Sequence, residues 1–191
     1  NDPAILPVVE KAFYSGDNDL RRAALEALEN VGSPAPDSGD DAGIDADIGP
    51  DMSDAEREQI LHMLVDAFND PDRLIRDQAL KTLLQLPLDL QVDGFAYAQE
   101  SSYDDVRADV VHYTSTSANW DTLYIAIKAL DDASPEIRDQ AANNLDFYIS
   151  KSFNSSLDAL NWWLKNNQYF DEDLFIIDIE LVELVQPLPG M

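Results

Sequence analysis

The chain has 191 residues, enough for one domain or a short repeat array with a buried core. Its hydrophobic fraction of 45% excludes wholesale disorder, and its formal net charge of −26 excludes nucleic acid as an expected partner and favours a basic protein. The absence of cysteine excludes disulfides, thiolate nucleophiles and cysteine-based metal sites.

The apolar runs of the sequence are short. Leu174 to Ile177 is typical of them, whereas a membrane-spanning helix requires roughly 20 apolar residues. We therefore expect no membrane insertion of this segment. The composition leaves the compartment open: cytoplasmic, or exported or anchored if a segment before Asn1 has been removed.

Four amphipathic segments, each built around an arginine, recur along the chain. The arginines are Arg21, Arg76, Arg107 and Arg138, with apolar residues at −1, +3, +4 and usually +7 from each. This spacing predicts one apolar stripe on a helix. The last two intervals between the arginines are 31 residues and the first is 55. The longer first interval is accounted for by residues 32–53. This stretch is rich in Asp, Gly and Pro, and we interpret it as an acidic flexible insert.

A second helix precedes each arginine helix. Ile5 to Phe13 and Ile60 to Phe68 begin 16 residues before their arginines, and Leu123 to Leu130 repeats the same apolar ending. The turns Asp70-Pro71-Asp72 and Ala133-Ser134-Pro135 supply a cap residue or proline where the second helix begins. The predicted repeating unit is therefore helix, turn, helix.

The arginine signature ends before the last part of the chain, which still predicts two helices. Leu157, Leu160, Trp163 and Leu164 form the first apolar stripe, and Leu174, Ile177, Leu181, Leu184 and Val185 form the second. A degenerate terminal hairpin suits a repeat array, because its outer face meets water. The predicted segments are repeat 1 at 4–31, the insert at 32–53, repeat 2 at 54–88, repeat 3 at 91–117, repeat 4 at 120–150 and a capping hairpin at 154–186.

The pattern Asp-x-x-x-x-[Val/Ile]-Arg-x-x-Ala-x-x-x-Leu resembles the HEAT repeat, and the 31-residue period resembles its short, phycobilisome-lyase-like variant. The resemblance implies an all-α fold, a right-handed α-solenoid of about five HEAT-like hairpins with one acidic loop insertion. It also implies a ladder of hydrogen bonds between turn aspartates and helix arginines. Ser15 and Ser101 replace the aspartate in two repeats and depart from the pattern. The expected ladder residues are Arg21, Asp70, Arg76, Arg107, Asp132 and Arg138.

The second helices of a solenoid line its concave side, so their outward positions are candidates for partner contact. These positions lie at +1, +2, +5 and +9 from each arginine, and they are rich in amide side chains and mixed in charge. We interpret them as adjoining columns of partner-binding residues, against the alternative of an ordinary solvated face. The candidates are Gln78, Lys81, Gln85, Asp109, His112, Gln140, Asn143 and Phe147.

Adjacent tryptophans Trp162 and Trp163 point about 100° apart on a helix, so both cannot face one core. Trp163 shares the stripe of Leu160 and is expected to be buried. Trp162 is either an exposed anchor for a partner or part of the cap packing, and we count it among the partner-binding candidates.

Catalytic and metal chemistry find little support in the sequence. The two histidines, His62 and His112, lie in different repeats, and paired carboxylates arise from composition at turns and helix starts. We therefore expect no catalytic residue and no cofactor, and a non-catalytic scaffold that presents a concave helical surface to a protein partner. Two alternatives stay open: a bilin-lyase-like enzyme or enzyme accessory, and a Ca²⁺-responsive module with weak binding through the Asp-rich loop.

Overall fold

The computed structural model describes residues 5–29, 52–115 and 118–177. This part of the chain is all-helical, with no β-strand beyond one isolated bridge. The helices are α1 (Ile5–Phe13), α2 (Asn18–Leu28), α3 (Asp54–Phe68), α4 (Arg73–Leu83), α5 (Leu88–Ala98), α6 (Asp104–Thr114), α7 (Trp120–Ala129), α8 (Pro135–Ile149) and α9 (Ser156–Asn166).

Short polar side chains set the helix starts. The Ser53 hydroxyl accepts the N–H of Glu56, whose carboxylate accepts the Ser53 N–H, and together they form a capping box at α3. Asn119 and Thr122 form the same reciprocal pair at α7. The Asp72 carboxylate accepts the N–H of Leu74 at the start of α4. These caps satisfy amides that the first turn leaves without a partner.

The chain divides into two compact units, residues 1–106 and 107–191. In the first unit α1 packs on α2, and α3 packs on α4. The first helices also pack on one another, α1 on α3 and α3 on α5, while α2 packs on α4. The helices of this unit therefore lie in two layers. The largest fully buried side chains between them include Phe13, Leu25, Leu28, Ile60, Leu64, Phe68, Ile75 and Leu83.

In the second unit α7 packs on α8 and on α9. Trp163 of α9 is fully buried, and its ring meets those of Trp120 and Phe170 with centroids 5.6 and 5.5 Å apart. Burial of one such aromatic side chain contributes about 1.5–3 kcal/mol. The cluster around it contains Val111, Leu123, Ala126, Ile127, Leu130, Ile137, Ala141, Leu145, Ile149 and Ala159.

The stretch after α9 differs from the sequence prediction. A helix was expected to include Leu174 and Ile177, but residues 171–177 form a turn, and Phe170 and Ile176 make an antiparallel bridge. The Asp171 carboxylate accepts the N–H groups of Asp173 and Phe175, and this local bonding competes with a helix. The rest of the predicted capping hairpin, 178–186, lies outside the described residues.

The acidic insert predicted at 32–53 lies outside the described residues except for its last two, Met52 and Ser53. In the described part of the chain, no helix is long and apolar enough to span a bilayer.

Candidate functional site

The four turns that join the helices of a hairpin share one hydrogen bond. In each turn a side-chain oxygen accepts the N–H of the residue two positions later. The pairs are Ser15 with Asp17 at 3.3 Å, Asp70 with Asp72 at 2.8 Å, Ser101 with Tyr103 at 3.1 Å and Asp132 with Ser134 at 2.8 Å. The residue six positions after each acceptor is the arginine of the sequence pattern. Serine and aspartate are therefore interchangeable in closing the turn.

Two of the arginines, Arg21 and Arg107, reach the next turn along the chain. Arg21 forms a salt bridge with the carboxylate of Asp70. Arg107 binds both carboxylate oxygens of Asp132, through Nε at 2.8 Å and Nη2 at 3.2 Å. Bidentate pairs of this kind are stronger and more specific in geometry than single hydrogen bonds.

Arg76 also reaches forward but finds a different acid. Its Nε lies 3.1 Å from Oδ1 of Asp105, its Nη2 binds the other carboxylate oxygen, and its guanidinium carbon lies 3.9 Å from the centroid of the Tyr103 ring. Ser101 occupies the turn position but carries no charge, so it cannot form an ion pair with Arg76. Sequence reasoning missed Asp105, since an acid in the first turn of a helix is ordinary.

Arg76 and Arg138 bind their own turns through backbone carbonyls. Arg76 Nη1 donates to the carbonyls of Asp70 and Pro71 at 2.8 and 3.2 Å. Arg138 Nη1 donates to those of Asp132 and Ala133 at 2.7 and 3.0 Å. The expected pairs of Asp70 with Arg76 and of Asp132 with Arg138 thus meet through the aspartate carbonyl, while the carboxylates accept from Arg21 and Arg107.

These contacts shift two carboxyl pKa values in the same direction. Burial alone would raise the pKa of Asp105, but the hydrogen bond and charge of Arg76 outweigh it, so the pKa lies below its usual range. Burial and Arg107 oppose each other at Asp132 in the same way, and the N–H of Ser134 also stabilises the carboxylate, so its pKa is lowered too. Both carboxylates are therefore charged at neutral pH.

A second repeated bond joins successive arginine helices. Thr82, six residues after Arg76, donates its hydroxyl to the Leu25 carbonyl at 3.0 Å. Asn144, six residues after Arg138, donates its amide to the Val111 carbonyl at 2.9 Å. Leu25 and Val111 each lie four residues after the arginine of the preceding repeat. One register of helix stacking thus occurs once in each unit.

In the first unit, the predicted partner-binding residues are Gln78 and Lys81 on α4 and Gln85 just after its end. Lys81 and Gln85 are exposed. Gln78 is half-buried and its amide donates to the Glu29 carboxylate at 3.1 Å, which ties it to the end of α2. The accessible part of this group is therefore the Lys81 and Gln85 side.

In the second unit, His112 on α6 and Asn143 and Phe147 on α8 are exposed, while Asp109 and Gln140 are half-buried. The hydrogen bond from Asn144 to the Val111 carbonyl places α8 against α6. Asn143 precedes Asn144, and His112 follows Val111, so both lie close to this contact. The structure thus brings a histidine, an amide and an exposed aromatic ring onto adjoining helices of this unit.

Trp162 is half-buried and packs within the second unit. Its ring centroid lies 5.8 Å from that of Phe153 and 6.1 Å from that of Phe170. The ammonium of Lys151 lies 5.4 Å from the same ring, within cation–π range. Of the two interpretations, this geometry favours cap packing over an exposed anchor, since Trp162 lies against Phe153 and Phe170.

Metal ligation has no candidate in residues 5–29, 52–115 and 118–177, where no group of three or more His, Asp or Glu could hold an ion. The Asp-rich loop lies outside these ranges. No protein-family model matches the chain, and no curated protein matches it at a significant level. The resemblance to HEAT repeats rests on this chain's own residues.

Proposed function

We propose that the chain is a non-catalytic binding protein, a right-handed solenoid of HEAT-like hairpins whose second helices contact a protein partner. The observation that carries the proposal is the repetition of inter-helix contacts. The same turn bond recurs at Ser15, Asp70, Ser101 and Asp132, and the bond from the +6 to the +4 position recurs in both units. Repeats that stack in one register form extended surfaces suited to binding.

The proposed contact residues are the exposed members of the predicted columns, above all Lys81, His112 and Asn143. Their side chains donate hydrogen bonds, and the imidazole and amide also accept them, which gives directional recognition. The net charge of −26 adds long-range attraction for a basic partner, and this attraction is screened by salt. Specificity and charge thus come from different residues.

The experiment isolates a partner by affinity capture on the intact chain and then measures binding of the purified partner by calorimetry. Replacing Lys81, His112 and Asn143 together by Ala raises the dissociation constant about tenfold or more, or about 1.4 kcal/mol. The fold is retained, because all three side chains are exposed.

The matched control replaces three exposed acids of the first helices, Glu58, Asp93 and Asp121, by Ala. This variant changes the association rate and its salt dependence and leaves the dissociation rate nearly unchanged. If the control abolishes binding at high salt while the first variant binds like the wild type, the contact lies on the first helices and the proposal is wrong.

A further inference from the structure

The terminal helix α9 carries apolar side chains that the core does not use. Ala159 and Trp163 are buried on its inner side, whereas Leu157 and Leu164 are 64% and 59% exposed. These two leucines are seven residues apart, so they lie two turns apart on one side of the helix. Leu160 between them packs partly against the core.

Three more exposed apolar residues follow: Ile176 of the bridge, 44% exposed, and its neighbours Phe175 and Ile177, 70% and 66% exposed. The Ile177 N–H donates to the Tyr169 carbonyl at 2.8 Å, which holds this stretch at the 3₁₀ turn Asn167–Tyr169 that continues α9. We call Leu157, Leu164, Phe175 and Ile177 the C-terminal apolar face. Exposed large apolar residues concentrated in one stretch of a unit, as between Ser156 and Ile177, mark an interaction site.

The surroundings of the C-terminal apolar face are acidic. Asp158 adjoins Leu157, and Asp171, Glu172 and Asp173 precede Phe175, all of them exposed. Lys165 is the one basic residue between Ser156 and Ile177. An apolar surface with this rim attracts a partner that combines apolar and basic side chains.

Charge discriminates among the occupants that could cover this face. A second copy of the chain brings another −26 to it. The following residues, 178–191, carry Asp178, Glu180 and Glu183 and no basic residue. Both would place like charges beside the acidic rim, which is destabilising.

We propose that the C-terminal apolar face docks an amphipathic helix of a partner protein, with an apolar stripe flanked by Lys or Arg. Leu157 and Leu164 span about 10 Å along α9, the length over which a partner helix presents residues i, i+3 or i+4, and i+7. This surface shares no residue with the proposed contacts at Lys81, His112 and Asn143. The two proposals can therefore be tested independently.

The test uses a fluorescent peptide of about 18 residues with Leu at the stripe positions of a helix and Lys elsewhere. Its fluorescence anisotropy is measured with the intact chain at about 0.15 M salt. The variant Leu157→Ser/Leu164→Ser binds about tenfold more weakly than the wild type. The matched variant Leu74→Ser/Leu88→Ser, which removes leucines that are 57% and 73% exposed in the first unit, binds like the wild type.

Three control measurements can overturn the proposal. A scrambled peptide of the same composition that binds equally well reduces the contact to unspecific charge attraction. Sedimentation showing a dimer that the variant Leu157→Ser/Leu164→Ser dissociates makes a second copy the occupant. If Leu181→Ser/Leu184→Ser in the intact chain tightens peptide binding tenfold, residues 178–191 already occupy the face. Equal weakening of peptide binding by Leu157→Ser/Leu164→Ser and by Leu74→Ser/Leu88→Ser also contradicts the proposal.

Discussion

Arg76 binds the carboxylate of Asp105 through Nε and Nη2, and Asp105 lies four residues beyond the turn position that Ser101 occupies. In the other repeats with a forward ion pair, the turn aspartate itself accepts the arginine, as Asp132 does from Arg107. The first turn of α6 thus supplies the charge that the preceding turn lacks. Arg76 therefore still forms a forward ion pair, but its acidic partner lies four residues after the turn position.

Replacing Asp105 by Ala lowers the free energy of unfolding by about 2–3 kcal/mol, because the largely buried guanidinium of Arg76 loses its only carboxylate on the described chain within bidentate reach. Urea denaturation at neutral pH measures the change. The control is Asp89→Ala, which removes the more exposed pair with Arg57 and costs less than about 1 kcal/mol. Equal costs would show that Asp105 contributes no more than a surface ion pair.

Lowering the pH reduces the contribution of the Asp132 carboxylate to the free energy of unfolding. Because its folded pKa lies below its ordinary value, the stabilisation is complete above an unfolded pKa of about 4 and is lost as pH falls through the folded value. Asn at this position keeps an oxygen for the Ser134 N–H but no charge. The difference in unfolding free energy between wild type and Asp132→Asn is therefore largest at pH 7 and shrinks steadily below about pH 5. A difference that stays constant down to about pH 2 would contradict the charge-based explanation.

The bond from Thr82 to Leu25 is tested by Thr82→Val, which keeps the shape of a fully buried side chain and removes its hydroxyl. We expect a loss of about 1 kcal/mol in the free energy of unfolding. Asn144→Leu, at the equivalent position, is expected to cost about 1–2 kcal/mol because the Val111 carbonyl loses its partner from α8.

Lys81→Ala is the control for both substitutions, since Lys81 is exposed and lies beside Thr82 on α4. It is expected to change stability by no more than about 0.5 kcal/mol. Thermal unfolding followed by circular dichroism gives the comparison. If Thr82→Val and Asn144→Leu are as mild as the control, the repeated bond does not hold the stacking register.

The spacing of apolar residues by itself predicted an all-helical fold and most of the buried side chains, although the helix expected to include Leu174 and Ile177 is absent from the described chain. Residues at +3 and +4 from the arginines, such as Leu25 and Leu80, are buried as predicted, except for Ala142, which is partly buried. A helical stripe is set by local geometry alone. Leu20, at −1 from Arg21, is exposed instead, and so are Leu157 and Leu164 of the predicted terminal stripe. An apolar side chain is buried only where another element covers it, and periodicity carries no information about that cover.

Only the tertiary structure decided which polar groups meet. Asp105, and not a residue at the Ser101 turn position, is the charged partner of Arg76. Thr82 and Asn144 bind carbonyls of the preceding repeat, because segments far apart in sequence lie side by side. Residues 171–177 show the same limit: their apolar spacing suits a helix, yet the Asp171 carboxylate and the Phe170–Ile176 bridge hold them in a turn. Helical periodicity is a property of consecutive residues, whereas these contacts depend on distances between segments that no local pattern encodes.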